Sequence, residues 1–513
     1  MKKAQTWKSK KFRFLLIAGG LVSIAFIIGL VLSQILETKI IAELSRKKGS
    51  VGSVGVNVFA KSITVRQLEI SNEDGDFHCV FDKIEISGIN IFQLLANNHL
   101  KIKHLLLDSG SVNYLIGKRD SLNIHSNKPF KYSLLIESVE LNKVNFSVTN
   151  DSLLELSGRA NLSMGRFSYD TAFSIEDLGS RFHHLTGSLS KLVCKEATGF
   201  YTVLADNIHL DSYKHSLIVD SIKLIPNYGK IEFARVLGKQ ATRVDVSLPR
   251  LAFFEIDYKS ALSGSLSISR LSIEDSKVYA FRDKRVPFLK DKIVPMPMLS
   301  LARLPYKFSI DSISIQKGTI VVEEFAEEAN EPGYVEFNNV QGLMTGLTNQ
   351  SQNLKPAELI ASGNFMKTGL IEAVFTFPGD STKEYTANGK ISNVPLRELN
   401  TLTGAAASLE FESGLLNKLY FNFEYNDYKS RGEIQLNYKD LKIVTLNQEG
   451  SIQKLKSALI NTLLKDTKDK STPVKDRKGT IEFERDRKRF IFNLWAKSIQ
   501  AGIKESILGS PKK

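Results

Sequence analysis

One pattern of side chains recurs nine times in the chain, and it decides what the chain can fold into. With h for an apolar residue, the pattern is h-x-h-x-x-h-x-h. It reads Ile63-Val65-Leu68-Ile70, Cys79-Phe81-Ile84-Ile86, Leu100-Ile102-Leu105-Leu107, Leu134-Ile136-Val139-Leu141 and Val203-Ala205-Ile208-Leu210. It continues as Leu217-Val219-Ile222-Leu224, Leu266-Ile268-Leu271-Ile273, Phe308-Ile310-Ile313-Ile315 and Leu436-Tyr438-Leu441-Ile443. The central pair is polar every time, from Arg66-Gln67 to Lys439-Asp440. Alternation with period two places apolar side chains on one face of a strand and polar ones on the other. The extra central residue would swap the faces unless a bulge, bend or short turn absorbs it. Each unit is therefore a bent strand, or two short ones, that keeps one face apolar.

In five copies a further apolar residue follows: Ile91, Val112, Phe146, Val278 or Ile320. The segments Asp108–Ser111 and Gln316–Thr319 are turn-like, so the next strand is expected as an antiparallel hairpin partner. Copy spacing is irregular, unlike the fixed period of propellers or leucine-rich repeats. The expected fold is mainly β: an elongated, curled antiparallel sheet over 61–450, with a few short helices, such as Asn90–Asn98 and Pro395–Leu402. Such a sheet must cover its apolar face with a second sheet, with helices, or with something apolar bound in a groove.

The formal charge of +14 sits at the two ends. Residues 1–13 carry six basic side chains and no acidic one, and 465–513 carry 14 basic and 7 acidic, which leaves only +1 for 14–464. A folded nucleic-acid binder shows a basic face on its body, so nucleic acid is not expected as a partner. The mean hydropathy of −0.12 excludes a polytopic membrane protein. Phe14–Leu36 is a charge-free apolar run of 23 residues, long enough to cross a hydrocarbon core of about 30 Å. A cleaved signal peptide has a shorter apolar region and a small-x-small site; here Glu37-Thr38-Lys39 follow. The run reads as an uncleaved single-pass anchor, with the basic tail 1–13 inside and everything after residue 37 across the membrane. Residues 37–60, with the glycines of 49–55, read as a flexible joint.

Catalytic signatures are missing. The eight histidines form no H-E-x-x-H and no Cys/His zinc spacing, the Gly-Lys dipeptides lack the earlier glycine of a phosphate loop, and no G-x-S-x-G occurs. No catalytic residue, metal ligand or cofactor is expected, and the chain does not read as an enzyme. Glu323-Glu324 and Glu327-Glu328 read as a solvated loop, and His183-His184 as a solvent-facing pair. Cys79 and Cys194 are far apart in sequence and read as small buried hydrophobes, with a disulfide left open.

The C-terminal region 451–513 reads as an amphipathic helix 451–465, a charged linker Asp466–Lys478, a strand Thr480–Phe483 and a final helix Phe490–Leu508. The last helix places Phe492, Trp495, Ile499, Ile503 and Ile507 on one stripe, after the basic Arg487-Lys488-Arg489. Two readings stand: a cap over the open end of the sheet, or an interfacial helix whose basic start meets anionic head groups of a membrane.

With one anchor, the segments FSIDSISIQKGTIVVEE (308–324) and LKIKHLLLDSGSVNYL (100–115), and the stretches YVEFNNVQGLMTGLTN (334–349) and LWAKSIQAGIKESI (494–507), the chain resembles the AsmA-like family of bacterial envelope proteins. That resemblance implies an inner-membrane protein with a taco-like periplasmic β-groove that carries phospholipid between the inner and outer membranes. An outer-membrane or envelope protein partner is implied with it. The groove candidates are Ile63, Val65, Leu68, Ile70, Leu100, Ile102, Leu105, Leu107, Leu134, Ile136, Val139, Leu141, Leu217, Val219, Ile222, Leu224, Leu266, Ile268, Leu271, Ile273, Phe308, Ile310, Ile313 and Ile315. The membrane-interface candidates are Arg487, Lys488, Arg489, Phe492, Trp495, Ile499 and Ile503. The alternative is an anchored scaffold for envelope or outer-membrane protein assembly, with its apolar face shut inside a closed sandwich and no lipid carried.

Overall fold

The computed structural model describes residues 49–57, 61–72, 75–89, 99–116, 133–150, 154–169, 182–262, 264–288, 293–350, 355–379, 384–401, 403, 409–445 and 476–508. The run 14–36 expected as an anchor, the basic tail before it, the helix expected at Asn90–Asn98 and the helix expected at 451–465 lie outside the described residues. Among those residues the protein is mainly β, with twenty-one strands, four α-helices and one 3₁₀ turn. They divide into two compact units, 1–225 with 251–268, and 226–250 with 269–513.

The first unit opens on β1 (Ser50–Asn57), β2 (Ser62–Ser71), β3 (Phe77–Ser87) and β4 (His99–Ile116). Then come β5 (Ser133–Asn150), β6 (Leu154–Tyr169), β7 (Phe182–Glu196), β8 (Tyr201–Asp211) and β9 (Ser216–Pro226). From β1 to β8 each strand pairs with the next, antiparallel except for the parallel pair β4–β5. The glycine-rich segment expected as a joint is strand β1, matched to β2 from Ser50↔Glu69 to Asn57↔Ser62. Alternating Val51, Val54 and Val56 with small residues is enough for pairing against the β-branched edge of β2. After β9 the chain passes through α1 (Lys230–Leu237) and β10 (Thr242–Leu248), which belong to the second unit. It returns as β11 (Arg250–Ile256), antiparallel to β9, and α2 (Tyr258–Leu262).

β12 (Ser265–Glu274) carries the chain into the second unit, followed by β13 (Lys277–Asp283), α3 (Pro297–Ala302), β14 (Lys307–Phe325) and β15 (Gly333–Thr348). Next are β16 (Ala357–Phe365), β17 (Gly369–Phe377), β18 (Tyr385–Pro395), a 3₁₀ turn Leu396–Leu399 and β19 (Leu409–Tyr425). The unit ends on β20 (Lys429–Thr445), β21 (Arg477–Glu484) and α4 (Ile491–Leu508). β10 pairs with β13, β13 lies parallel to β14, and β14 to β21 form an antiparallel succession. The expected elements Thr480–Phe483 and Phe490–Leu508 are present as β21 and α4.

The extra central residue is absorbed inside long strands. Gln67, Asn207 and Asp440, each the second member of a central pair, take left-handed φ values of 52°, 48° and 53°. Asp206 helps hold its bulge: its carboxylate accepts from the backbone of Asn207 at 3.0 Å and of Lys191 at 2.9 Å. The two segments expected as hairpin turns do not reverse the chain. Ser109 and Lys317, at φ 50° and 54°, are single left-handed residues within β4 and β14. One such residue kinks a strand and raises its twist, whereas reversal takes at least two. Val112, Phe146 and Ile320 therefore continue the strands that precede them. In the parallel pair the irregularities face each other: Ile102↔Ile136 is followed by His104↔Ser138, and Asp108↔Asn142 by Gly110↔Val144. Both strands skip together, so the apolar face keeps its register across the kink.

Candidate functional site: an apolar sheet face, part closed and part open

The groove candidates of the first strands share one face and are shut inside it. Cross-strand rows run Val65↔Ile84↔Leu107↔Leu141 and Ile63↔Ile86↔Leu105↔Val139. Ile63, Val65, Leu68, Ile70, Leu100, Ile102, Leu105, Leu107, Leu134, Ile136 and Val139 are all buried, and Ile102, Leu105, Ile136 and Val139 are 0% exposed. They form one core cluster, with Leu141 packed against it. Phe81 lies over Gly110 so closely that a Cβ there would come within 2.4 Å of the ring; only glycine leaves the ring that seat. Cys79 is wholly buried in this core, and burial pushes its thiol up to about 12. Cys194 is half-buried, and both cysteines are free thiols.

Farther along, the same pattern is only half-covered. Val219 and Ile268 are buried and Leu271 nearly so, but Leu217, Ile222, Leu224, Leu266 and Ile273 are intermediate. Phe308 is 6% exposed, whereas Ile310, Ile313 and Ile315 of β14 are half-buried and belong to none of the core clusters. β15 sets Leu347, Met344 and Gly342 opposite those three. β16 and β17 extend the row through Leu359↔Phe375 and Ala361↔Ala373. This stretch runs into the core of the second unit, where Tyr425, Phe423, Ile434 and Ile481 are at most 1% exposed. The nine copies leave out β15 to β18. β16 and β17 alternate without a central pair. β15 and β18 have one, Asn338-Asn339 and Ser392-Asn393, with Asn339 and Asn393 at φ 49° and 58°, but a glycine, Gly342 or Gly389, stands at one of the apolar positions.

α4 covers that second core. Ile491 and Leu494 are buried in it, and Trp495, Ile499 and Ile503 pack against it. Trp495 stacks on Phe375 with ring centroids 4.2 Å apart. Close approach is set by small residues: Gly502 seats against Ile434 and Ile481, and Gly479 against the backbone carbonyl of Gly502. Ser498 donates to the Leu494 carbonyl at 2.7 Å, so in its 2.6 Å contact with Ser430 the Ser430 hydroxyl is the donor. The backbone N–H of Thr480, on β21, donates to the Glu505 carboxylate, which closes one site on that strand. Three of the membrane-interface candidates, Trp495, Ile499 and Ile503, thus face the sheet. A buried stripe of that width leaves only its flank outside, and Phe492 is 69% exposed. The basic candidates are likewise engaged within the protein: Arg487 pairs with Asp427 at 2.5 Å, and Arg489 lies over the Phe288 ring at 3.9 Å. Lys488 is half-buried, its backbone N–H bonded to Asp486.

The opposite face of the first strands is polar and laced with ion pairs, such as Lys101–Glu137 at 2.7 Å and Lys83–Glu85 at 2.6 Å, whereas on β15 to β17 that face also carries the exposed Leu343, Ile360 and Leu370. Glu323 and Glu324, expected in a loop, lie in β14 and pair with Lys230 at 2.8 Å and Lys284 at 2.5 Å. His183 faces solvent, but His184 stacks on Tyr213 at 4.1 Å. Among the described residues no group of His, Cys, Asp and Glu is arranged to hold a metal ion, and no helix is long and apolar enough to cross a membrane. No protein-family model matches the chain, and no curated protein matches it either.

Proposed function

We propose that this is a membrane-anchored, periplasmic protein of AsmA-like type whose apolar sheet face holds or passes phospholipid acyl chains between the inner and outer membranes. The observation that carries this reading is the half-covered stretch of β14 to β16, where Ile310, Ile313, Ile315, Met344 and Leu359 line one face without full burial. An acyl chain laid there would remove its methylenes from water at about 0.8 kcal/mol each. Photo-crosslinkers at Ile313 and Met344 are expected to capture phospholipid, and those at Lys103 and Thr345 on the opposite face are not. Equal labelling of both sets would overturn the reading. A second reading, an anchored scaffold without lipid, draws support from the first unit, where the candidates of β2 to β5 are shut in a core of their own. It predicts no capture at any of these positions and no lipid in the purified, detergent-extracted protein by native mass spectrometry.

A further inference from the structure

The apolar row of the second unit is half-open at one end and shut at the other, and one side chain marks the change. Across β14 to β17 the row runs Ile313↔Met344↔Leu359↔Phe375, and all four side chains are half-buried. It continues through Ala387 on β18 and Phe423 on β19, which are 0% and 1% exposed. The pairing of β17 with β18 runs from Leu370↔Ser392 to Thr376↔Thr386 without a skip. The sheet therefore presents one continuous apolar row, and the difference in exposure comes from what lies over it.

Over the shut end lies α4. Its later part seats at Gly502 against Ile434 of β20 and Ile481 of β21. Its first turns carry the cover to β17, where Trp495 stacks on Phe375 with ring centroids 4.2 Å apart. Tyr425, wholly buried, and Phe492 stand edge-on to the indole at 6.2 and 5.4 Å. Three aromatic neighbours fix the orientation of the ring, and the ring stands where the half-open row becomes the closed one.

We infer that Trp495 is the stop of the apolar groove: it fixes how far an acyl chain can run along the row, and so which chain lengths bind. The inference rests on the acyl-chain reading of this face. From β14 to β17 there are three strand spacings, roughly 14 Å. Methylenes laid over that stretch leave water, and those that would pass Phe375 meet the indole and gain nothing. Affinity should therefore rise with acyl length, about fourfold per methylene, and level off where the chain reaches Trp495.

The test uses the full-length protein in amphipol and a series of lysophosphatidylcholines that differ only in acyl length, with affinity read by calorimetry. In Trp495→Ala the plateau seen in the wild type should move to longer chains by several methylenes. A lysophosphatidylcholine with a diazirine at its tail end, crosslinked and mapped by peptide mass spectrometry, should label Leu359 or Phe375 in the wild type. In Trp495→Ala the label should move to Ala387 or Phe423. Ile503→Ala also strips apolar atoms that α4 packs on this core; it should lower the melting temperature and leave plateau and label where they were. If Trp495→Ala does not fold, Trp495→Leu, which keeps apolar cover but shortens the wall, carries the same comparison. A plateau and label that stay in place in the folded Trp495 variant, or that move equally in Ile503→Ala, would overturn the inference. Binding without the shift sinks the stop alone, whereas no binding in any variant sinks the acyl-chain reading together with it.

Discussion

Replacing Ile102 by alanine tests whether the first unit holds a closed core or an open groove. Ile102 is 0% exposed, matched to Ile136, itself 0% exposed, and embedded in the cluster that spans β1 to β6. Truncation there removes buried methyl and methylene groups and leaves a cavity, at a cost of about 2–5 kcal/mol. For a unit of this size about 1 kcal/mol lowers the melting temperature by roughly 2–4 °C, so a drop of about 4–20 °C is expected. Leu217, on β9 of the same unit, is half-buried. It loses less transfer energy and leaves a site already partly wet, so Leu217→Ala should cost about half as much or less. Differential scanning calorimetry of the full chain, following the transition assigned to the first unit, gives both shifts in one buffer. Equal shifts for the two variants would refute the reasoning, because a face open to solvent or lipid penalises both positions alike.

Two further outcomes follow from local geometry. Gly389→Ala would set a Cβ 2.3 Å from the Phe421 ring and 2.7 Å from the Glu372 carbonyl, whereas at Gly342 the nearest atoms are Ile315 carbons at 3.5 Å. Denaturant unfolding should show a loss of about 1–3 kcal/mol for the first and a change within about 0.5 kcal/mol for the second. Cys79, whose thiol burial raises to about 12, stays protonated through pH 10, while the half-buried Cys194 reaches its thiolate form earlier. Iodoacetamide at pH 8.5 followed by peptide mass spectrometry is therefore expected to label Cys194 first, and equal labelling would show that the first core opens.

Much of the fold was legible because strand alternation is a local property. Ile63 to Ile70, Leu100 to Leu107 and Leu134 to Leu141 announce a one-sided strand without knowledge of any neighbour, and α4 announces its apolar stripe in the same way. The kinks were legible as extra residues but not as conformations. Ser109 and Lys317 sit in segments that look like turns, and only pairing with the neighbouring strands keeps those segments within a single kinked strand. β1 was read as a joint because its glycines and serines carry little signal of their own, and its strand form depends on the edge β2 offers. The stretch from Met344 to Phe375 escaped for the opposite reason: it alternates plainly, without the central pair that marked the other copies.

Sequence alone determined that the chain builds β-strands with one apolar face, that the surplus positive charge lies at its ends, and that common catalytic signatures are absent. Only the tertiary structure decided where that face is shut, at Ile102 and Ile136, and where it is half-open, at Ile310 and Ile313. It also turned Trp495, Ile499 and Ile503 toward the sheet and brought Arg489, from the far end of the chain, to Gln240. The physical reason is the range of the two kinds of information. Which way a side chain points along a strand depends on its immediate neighbours, whereas what covers it, or which charge it meets, depends on residues tens to hundreds of positions away.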